Sequence, residues 1–291
     1  MTEQNDLRRG LLQGVLAYGL WGVVPAYWKL LATVEPLELI AHRAVWGLGA
    51  FMVIVVVSGQ VGALRVALRD VRTIGVMAGS GVLLAINWGL FVWATISGHL
   101  LEASLGYFIN PLVSVGLGTI VLRERLSRLQ WIAIGLATLG VAILAWRAGR
   151  IPWVALLLAS TFGLYGLVRK TAKVNALIGS TIETMLMVPI AVAYLIFTAD
   201  HGAFGHTDAS TTALLVGTGV ITAVPLVLFT SAARRLPLST IGFLQYLAPT
   251  GQFLLAVIAF GEPLALDRLA AFVVIWAGLA VFTLDLFRSR R

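Results

Sequence analysis

An all-α polytopic membrane protein of ten transmembrane helices, built as two inverted five-helix repeats, is the fold class this sequence predicts. Three observations predict it. The 291 residues are 59% apolar and 12% charged, against roughly 45–50% apolar and 25% charged in a soluble domain. The apolar residues fall in about ten continuous runs, each near the roughly 20 residues that cross a bilayer core. The second half also repeats the first. Gly19-Leu20-Trp21-Gly22 recurs as Gly163-Leu164-Tyr165-Gly166 and Lys29 as Lys173, both at an offset of 144. Pro111, Glu124 and Gly140 then recur as Pro249, Glu262 and Gly278 at an offset of 138. Chance matches in an apolar chain would be Leu and Ala; matched Pro, Glu and Gly carry more weight. The runs are unbroken rather than alternating with period 2, which argues against a β-barrel.

The predicted spans are 10–32, 36–58, 73–95, 100–121, 129–146, 152–170, 176–198, 212–232, 237–260 and 268–286. They divide into a first repeat, 8–146, and a second, 150–287. Five spans is an odd number, so the copies have opposite orientations, the architecture usual among alternating-access transporters. Sixteen Lys and Arg lie in segments on the N-terminal side of the membrane and four (Lys29, Arg147, Arg150, Arg268) on the other, with Arg43 inside a span. The positive-inside rule then places both termini in the cytoplasm. Arg147 and Arg150 run against it. The segment 200–210 has Asp200, His201, His206 and Asp208 but no Lys or Arg, as suits an outer loop. The first apolar run has no small-residue cleavage pattern and reads as a full span.

Ionisable groups at membrane depth cost roughly 3 kcal/mol or more and normally face a cavity or a partner. Span 2 carries Glu38, His42 and Arg43. Arg43 lies about seven residues in, roughly 10 Å deep at 1.5 Å per residue, beyond easy snorkelling. It reads as an anion-binding group or as half of an ion pair that fixes packing. Glu183, at similar depth in span 7, reads as a protonatable coupling carboxylate or as a packing partner. Glu38 and Glu102 lie near span ends, where solvation accounts for them.

Span 4 places Glu102, Gly106, Asn110, Ser114 and Gly118 four residues apart, and Asn110-Pro111 falls at its centre. Span 9 answers with Gly242, Gln245, Pro249 and Gln252, with Tyr246 beside them. Proline removes a backbone donor, so Pro111 and Pro249 are expected to break their helices at matching points, and such breaks point to a midplane site between repeats. Small residues in the same stripes also serve close helix packing. Span 1 carries Tyr18, Trp21, Pro25 and Trp28 on one face, and span 6 carries Phe162 and Tyr165. Trp28 suits an interfacial anchor; Trp21 and Tyr165 lie deeper and suit an aromatic cavity wall. Asn87 is expected to face the cavity, because an amide facing lipid would be unsatisfied. Spans 1, 3, 4, 6 and 9 are therefore expected to line a central cavity with Trp21, Asn87, Tyr107, Asn110, Tyr165, Gln245 and Tyr246 as wall residues. The single-solute pathway needs only a monomer.

Other classes find little here. There are no cysteines, which removes disulfides and thiolate metal sites. His201 and His206 with Asp200 and Asp208 read as a solvated loop rather than a metal site. No Gly-Lys-Ser/Thr phosphate loop is present, so the chain is expected to carry no ATP motor of its own; with only four histidines, no catalytic set, cofactor or metal is expected either. The net charge of +8 sits in short loops and reflects topology rather than nucleic-acid binding.

The runs Ala17-Tyr18-Gly19-Leu20-Trp21-Gly22, Ala41-His42-Arg43, Asn87-Trp88, 103–111 (Ala-Ser-Leu-Gly-Tyr-Phe-Ile-Asn-Pro) and 242–249 (Gly-Phe-Leu-Gln-Tyr-Leu-Ala-Pro) resemble those of RarD-type permeases, in the EamA branch of the drug/metabolite transporter superfamily. The likeness spans about residues 8–287. It implies a ten-helix inner-membrane permease of two inverted repeats with cytoplasmic termini, and a chloramphenicol-related role. Apart from the resemblance, the missing nucleotide motif leaves either a proton gradient acting through Glu183 or uncoupled facilitated diffusion of a small metabolite or drug-like solute. With Arg43, His42 and Trp88 in these runs are counted among the expected solute-binding residues. The Arg-rich connector after span 5 departs from the family pattern and bears on orientation.

Overall fold

The chain is described here by a computed structural model covering residues 3–97, 99–147, 152–259, 261 and 266–288. Every regular element among these residues is helical. In order they are α1 (Glu3–Leu30), α2 (Pro36–Val57), α3 (Val61–Ala67), α4 (Val71–Ile96), α5 (Leu100–Ile120), α6 (Arg128–Arg147), α7 (Trp153–Thr171), α8 (Ala176–Phe197), α9 (Ala209–Arg235), α10 (Leu238–Gln245) and α11 (Leu247–Leu254). A π-helical turn (Leu255–Ala259) precedes α12 (Leu266–Arg288). Six helical stretches are long and apolar enough to cross a membrane, with two shorter apolar stretches, 105–120 and 269–285. Arg150, Glu262, Arg290 and Arg291 lie outside the described residues, as do the side chains of Glu102, Arg147, Arg268 and Arg288.

Short polar residues set the helix starts. The Asp70 carboxylate accepts from the Arg72 and Thr73 amides, each at 3.2 Å, and the Asn175 side chain accepts from the Ile178 amide at 2.9 Å. Ser127 and Gln130 form a reciprocal capping box, each side chain accepting the other's amide at 3.1 Å. Each such bond satisfies a donor with no partner inside the helix. The helix bounds follow the predicted spans with three departures. Helix α1 begins at Glu3, because its polar first turns continue the helix. The connection after span 2 contains the short helix α3. Span 9 is broken into α10, α11 and the π turn.

At the start of α9 the Asp208 carboxylate accepts from the Thr211 amide at 3.1 Å, the Thr211 hydroxyl at 2.8 Å and the Ser210 hydroxyl. These bonds, led by Ser210, hold its pKa down to about 2. A lowered folded-state pKa contributes stability above the ordinary value of about 3.9, and that contribution is lost as pH falls towards 2. The protection of the Thr211 amide against exchange, taken relative to its intrinsic rate at each pH, should therefore fall over that window in the native chain. Asp208→Asn, which caps without titrating, should show no such step; a step of equal size in the variant refutes the assignment.

The main helix contacts come in matched sets. Helix α4 packs on α7 as α9 packs on α1, α4 on α8 as α9 on α2, and α5 on α7 as α11 on α1. Helices α2 and α8, α5 and α10, and α6 and α12 pack directly on one another. The α6–α12 seam shows the match at atomic scale. A Cβ on Gly140 would lie 3.0 Å from the Ala271 carbonyl oxygen, and one on Gly278 would lie 3.0 Å from that of Ala133. Gly140 and Gly278 share the 138 offset, and so do Ala133 and Ala271. Glycine at both positions lets the two backbones meet, as small residues do in membrane interfaces.

Candidate functional site

A cavity of about 540 Å³ runs from the α1–α2 turn (Leu31 to Pro36) inward to Tyr18, Leu226 and Gln245. Its volume is within the range that encloses a small organic ligand. The walls come from α1, α2, α4, α5, α7, α9 and the α10–α11 segment, so α2 and α9 join the five spans expected from sequence. Trp21, Arg43, Asn87, Trp88, Tyr107, Asn110, Gln245 and Pro249 all border it. Its inner end is an aromatic floor. Phe229 of α9 lies 6.0 Å from Tyr18, 5.7 Å from Trp21, 5.3 Å from Phe162 and 5.9 Å from Tyr165, measured between ring centroids. These edge and offset contacts close the space between α1, α7 and α9.

Arg43 is the charged residue of the wall. Its guanidinium carbon lies 5.1 Å from the Trp28 ring centroid and 4.5 Å from that of Trp88. Both are within cation–π range, which supports a planar cation in an apolar wall. Its Nε donates to the Thr222 hydroxyl at 3.2 Å. Among the described residues no carboxylate lies within ion-pairing distance of Arg43. Trp28, expected as an interfacial anchor, instead lines the cavity and stacks on this cation.

The neutral polar groups link the helices at the same level. Pro25 has no amide hydrogen, so the Trp21 carbonyl one turn earlier loses its helical donor. The Gln252 side-chain amide donates to that carbonyl at 3.2 Å, tying α11 to α1. The Ser114 hydroxyl donates to Gln245 Oε1 at 3.2 Å across α5 and α10. The Asn87 amide nitrogen donates to the Leu158 carbonyl and the Thr161 hydroxyl, both at 2.9 Å, so Asn87 borders the cavity while anchoring α4 to α7. Asn110 is 6% exposed and its Oδ1 has no protein partner. A buried acceptor left open at a cavity wall is available to a ligand or water.

The prolines behave differently from one another. Helix α5 continues through Pro111, whereas the matching segment breaks at Tyr246, three residues before Pro249. One missing amide is not enough to break α5. The Tyr246 hydroxyl donates to the Phe108 carbonyl at 3.2 Å, supporting the backbone beside Pro111. Neither Pro111 nor Tyr246 borders the cavity.

His42, Tyr165 and Glu183 are also placed away from it. His42 and Glu38 point to the loop before α9. Glu38 is buried and its Oε1 accepts from the Ala203 and Phe204 amides at 2.7 and 3.2 Å, so solvation does not account for it. His42 Nδ1 accepts from the Trp46 indole at 3.2 Å, and its ring lies 4.9 Å from that of Phe204. One residue along a helix turns a side chain by about 100°, which separates Arg43 from His42. Tyr165 is fully buried and its hydroxyl approaches Glu183 Oε2 at 3.4 Å.

Arg169 is a candidate functional residue that the sequence does not single out, since it counts there only among the sixteen Lys and Arg on the N-terminal side of the membrane. It is fully buried, and its Nη1 lies 3.4 Å from Glu183 Oε1. Nη1 also lies 2.9 Å from the Met77 sulfur, and Nη2 donates to the Ala176 carbonyl at 2.8 Å. A Cβ on Gly179 would collide with Nη1. The signal was present: a carboxyl at depth in span 7 needs a cation, and Arg169 lies one short loop before it.

Residues 8–146 match the EamA-like transporter family. Over 288 residues the chain is 48% identical to an uncharacterized transporter of Pseudomonas aeruginosa, covering 98% of this chain and 97% of that one. It is 44% identical to Protein RarD of Escherichia coli, over 99% and 98% of the two chains. A more distant relative from Pseudomonas aeruginosa, 31% identical over 97% and 96%, bears the name chloramphenicol-sensitive protein RarD. A solved crystal structure that is 19% identical superposes over all of both chains with a TM-score of 0.74, a likeness of fold alone.

Proposed function

Because the chain belongs to the RarD branch of the EamA-like transporter family, we propose that it is a secondary transporter whose solute binds at Arg43. The solute is a small organic metabolite or drug-like molecule, and it crosses a bacterial inner membrane as two inverted five-helix repeats, 8–146 and 150–287, rock against each other. The observation that carries this reading is Arg43: a guanidinium in a cavity wall, within cation–π distance of both Trp28 and Trp88, with no carboxylate in ion-pairing distance among the described residues. A structural subunit would have no need of that uncompensated charge. The matched helix contacts support the repeat, and the one-ended cavity above an aromatic floor supports alternating access rather than an open pore. A chloramphenicol-like solute belongs to the candidates on the relative's name alone.

Reconstituted protein is the test. Solutes that raise its melting temperature, as a bound ligand must by mass action, should show saturable counterflow in proteoliposomes; flux without counterflow means an uncoupled facilitator or channel. Coupling to protons is assigned to Glu183, which Arg169 must release before it can take a proton. Glu183→Gln should then lose pH-driven accumulation and keep counterflow. Both termini are placed in the cytoplasm by the charge distribution. A cysteine at Thr207 should accordingly label with impermeant thiol reagents in intact cells and one at Ser289 should not; the reverse pattern refutes the orientation.

A further inference from the structure

We propose that the buried Arg169–Glu183 cluster is the closed half of the transport path, and that it becomes a solute-facing wall when the bundle opens to its other side. The argument is one of register. Arg43 lies eight residues past the N-cap Glu35 of α2, and Glu183 lies eight residues past the N-cap Asn175 of α8. Under that register Pro36 and Ile40 of α2 match Ala176 and Ser180 of α8. Under the 144 offset Trp21 and Pro25 of α1 match Tyr165 and Arg169 of α7. All five first-half residues (Trp21, Pro25, Pro36, Ile40, Arg43) border the open cavity. All five counterparts are buried, and they form one cluster.

The cluster is also poorly satisfied for a permanent packing element. Arg169 Nε has no hydrogen-bond partner, and Glu183 Oε1 meets the guanidinium only at 3.4 Å, longer than a good charge-assisted bond. A buried ion pair gains little net stability even with ideal geometry, and apolar packing often serves as well. Groups left short of partners in one conformation are explained if the other conformation exposes them to water and solute. Arg169 is then a second guanidinium on the path, masked by Glu183 in this state and presented at the far side in the other. A small crevice bordered by Arg72, Thr73, Met77 and Lys173 already reaches Met77, whose sulfur contacts Arg169. That crevice marks where the opening would begin.

This inference rests on the alternating-access reading, and the test separates the two. Single cysteines are placed in the Cys-free chain at Ile40, at Ser180 and, as a packed control, at Ala155, which is fully buried between α5 and α7. A charged methanethiosulfonate reagent is applied to the purified protein well below its melting temperature. Ile40→Cys should react readily. Ser180→Cys should react at least about tenfold faster than the control, and Glu183→Gln should raise that rate and lower the rate at Ile40→Cys so that the ratio of the two rises about tenfold, as a one-decade shift in a two-state equilibrium requires. The double variant Arg169→Met/Glu183→Met, which seals the cluster with apolar side chains, should drive both rates the opposite way. Ser180→Cys as inert as the control overturns the proposal. So does a rise at Ser180→Cys without the reciprocal fall at Ile40→Cys, which is local loosening. If Ile40→Cys is itself inert, the open cavity and the transport reading fail.

Discussion

Arg43→Ala is expected to abolish solute counterflow while leaving the protein folded and at its normal level in the membrane. The guanidinium is the charged group of the cavity wall, and a substituent accepting two bonds from it would gain on the order of 3 kcal/mol, more than a hundredfold in affinity. Within the protein the guanidinium makes one hydrogen bond of 3.2 Å to Thr222 and two cation–π contacts, so truncation should lower the melting temperature by only a few degrees. Arg43→Lys keeps the charge but not the planar fork or its fit between two indoles. It should bind about tenfold more weakly than the native chain with an unchanged maximal rate. Counterflow by Arg43→Ala at the native rate and half-saturation would remove Arg43 from the site.

The largest effect on stability should come from parting Arg169 and Glu183. Removing one member of a fully buried pair leaves the other charge without compensation, at a cost of about 3–5 kcal/mol. Arg169→Ala or Glu183→Ala should therefore melt about 10 °C or more below the native protein, on the scaling for chains of a few hundred residues. The double variant Arg169→Met/Glu183→Met should melt near or above it, because methionine fills the volume without a charge to desolvate. Equal losses in the single and double variants would mean that side-chain packing rather than charge governs the cluster. Gly179→Ala tests the same pair from the backbone, since its methyl group would occupy the space of the guanidinium nitrogen.

Membrane class and the position of nearly every long helix were legible in composition and periodicity, for a local reason. A segment that must satisfy its own backbone bonds in hydrocarbon declares itself by a run of apolar residues. Caps such as Asn175 and Asp208 act within one turn. Much of the cavity wall was legible as well. Arg43, Asn87, Asn110 and Gln245 stand out because a polar residue at membrane depth needs a partner or a cavity. Which of the two it meets depends on side chains that arrive from helices distant in sequence, and here local reasoning reached its end. Glu38, assigned to solvent, is buried against the loop at Ala203; Trp28, assigned to the lipid boundary, stacks on Arg43. Arg169, assigned to a cytoplasmic loop, turns inward because Gly179 leaves it room and Glu183 leaves it a counter-charge. Pro111 and Pro249 are chemically alike, yet only the second lies in a broken segment, since a missing amide bends a helix only as far as its neighbours allow. Each of these outcomes is a contact between helices, and a contact of that kind exists only once the bundle is assembled.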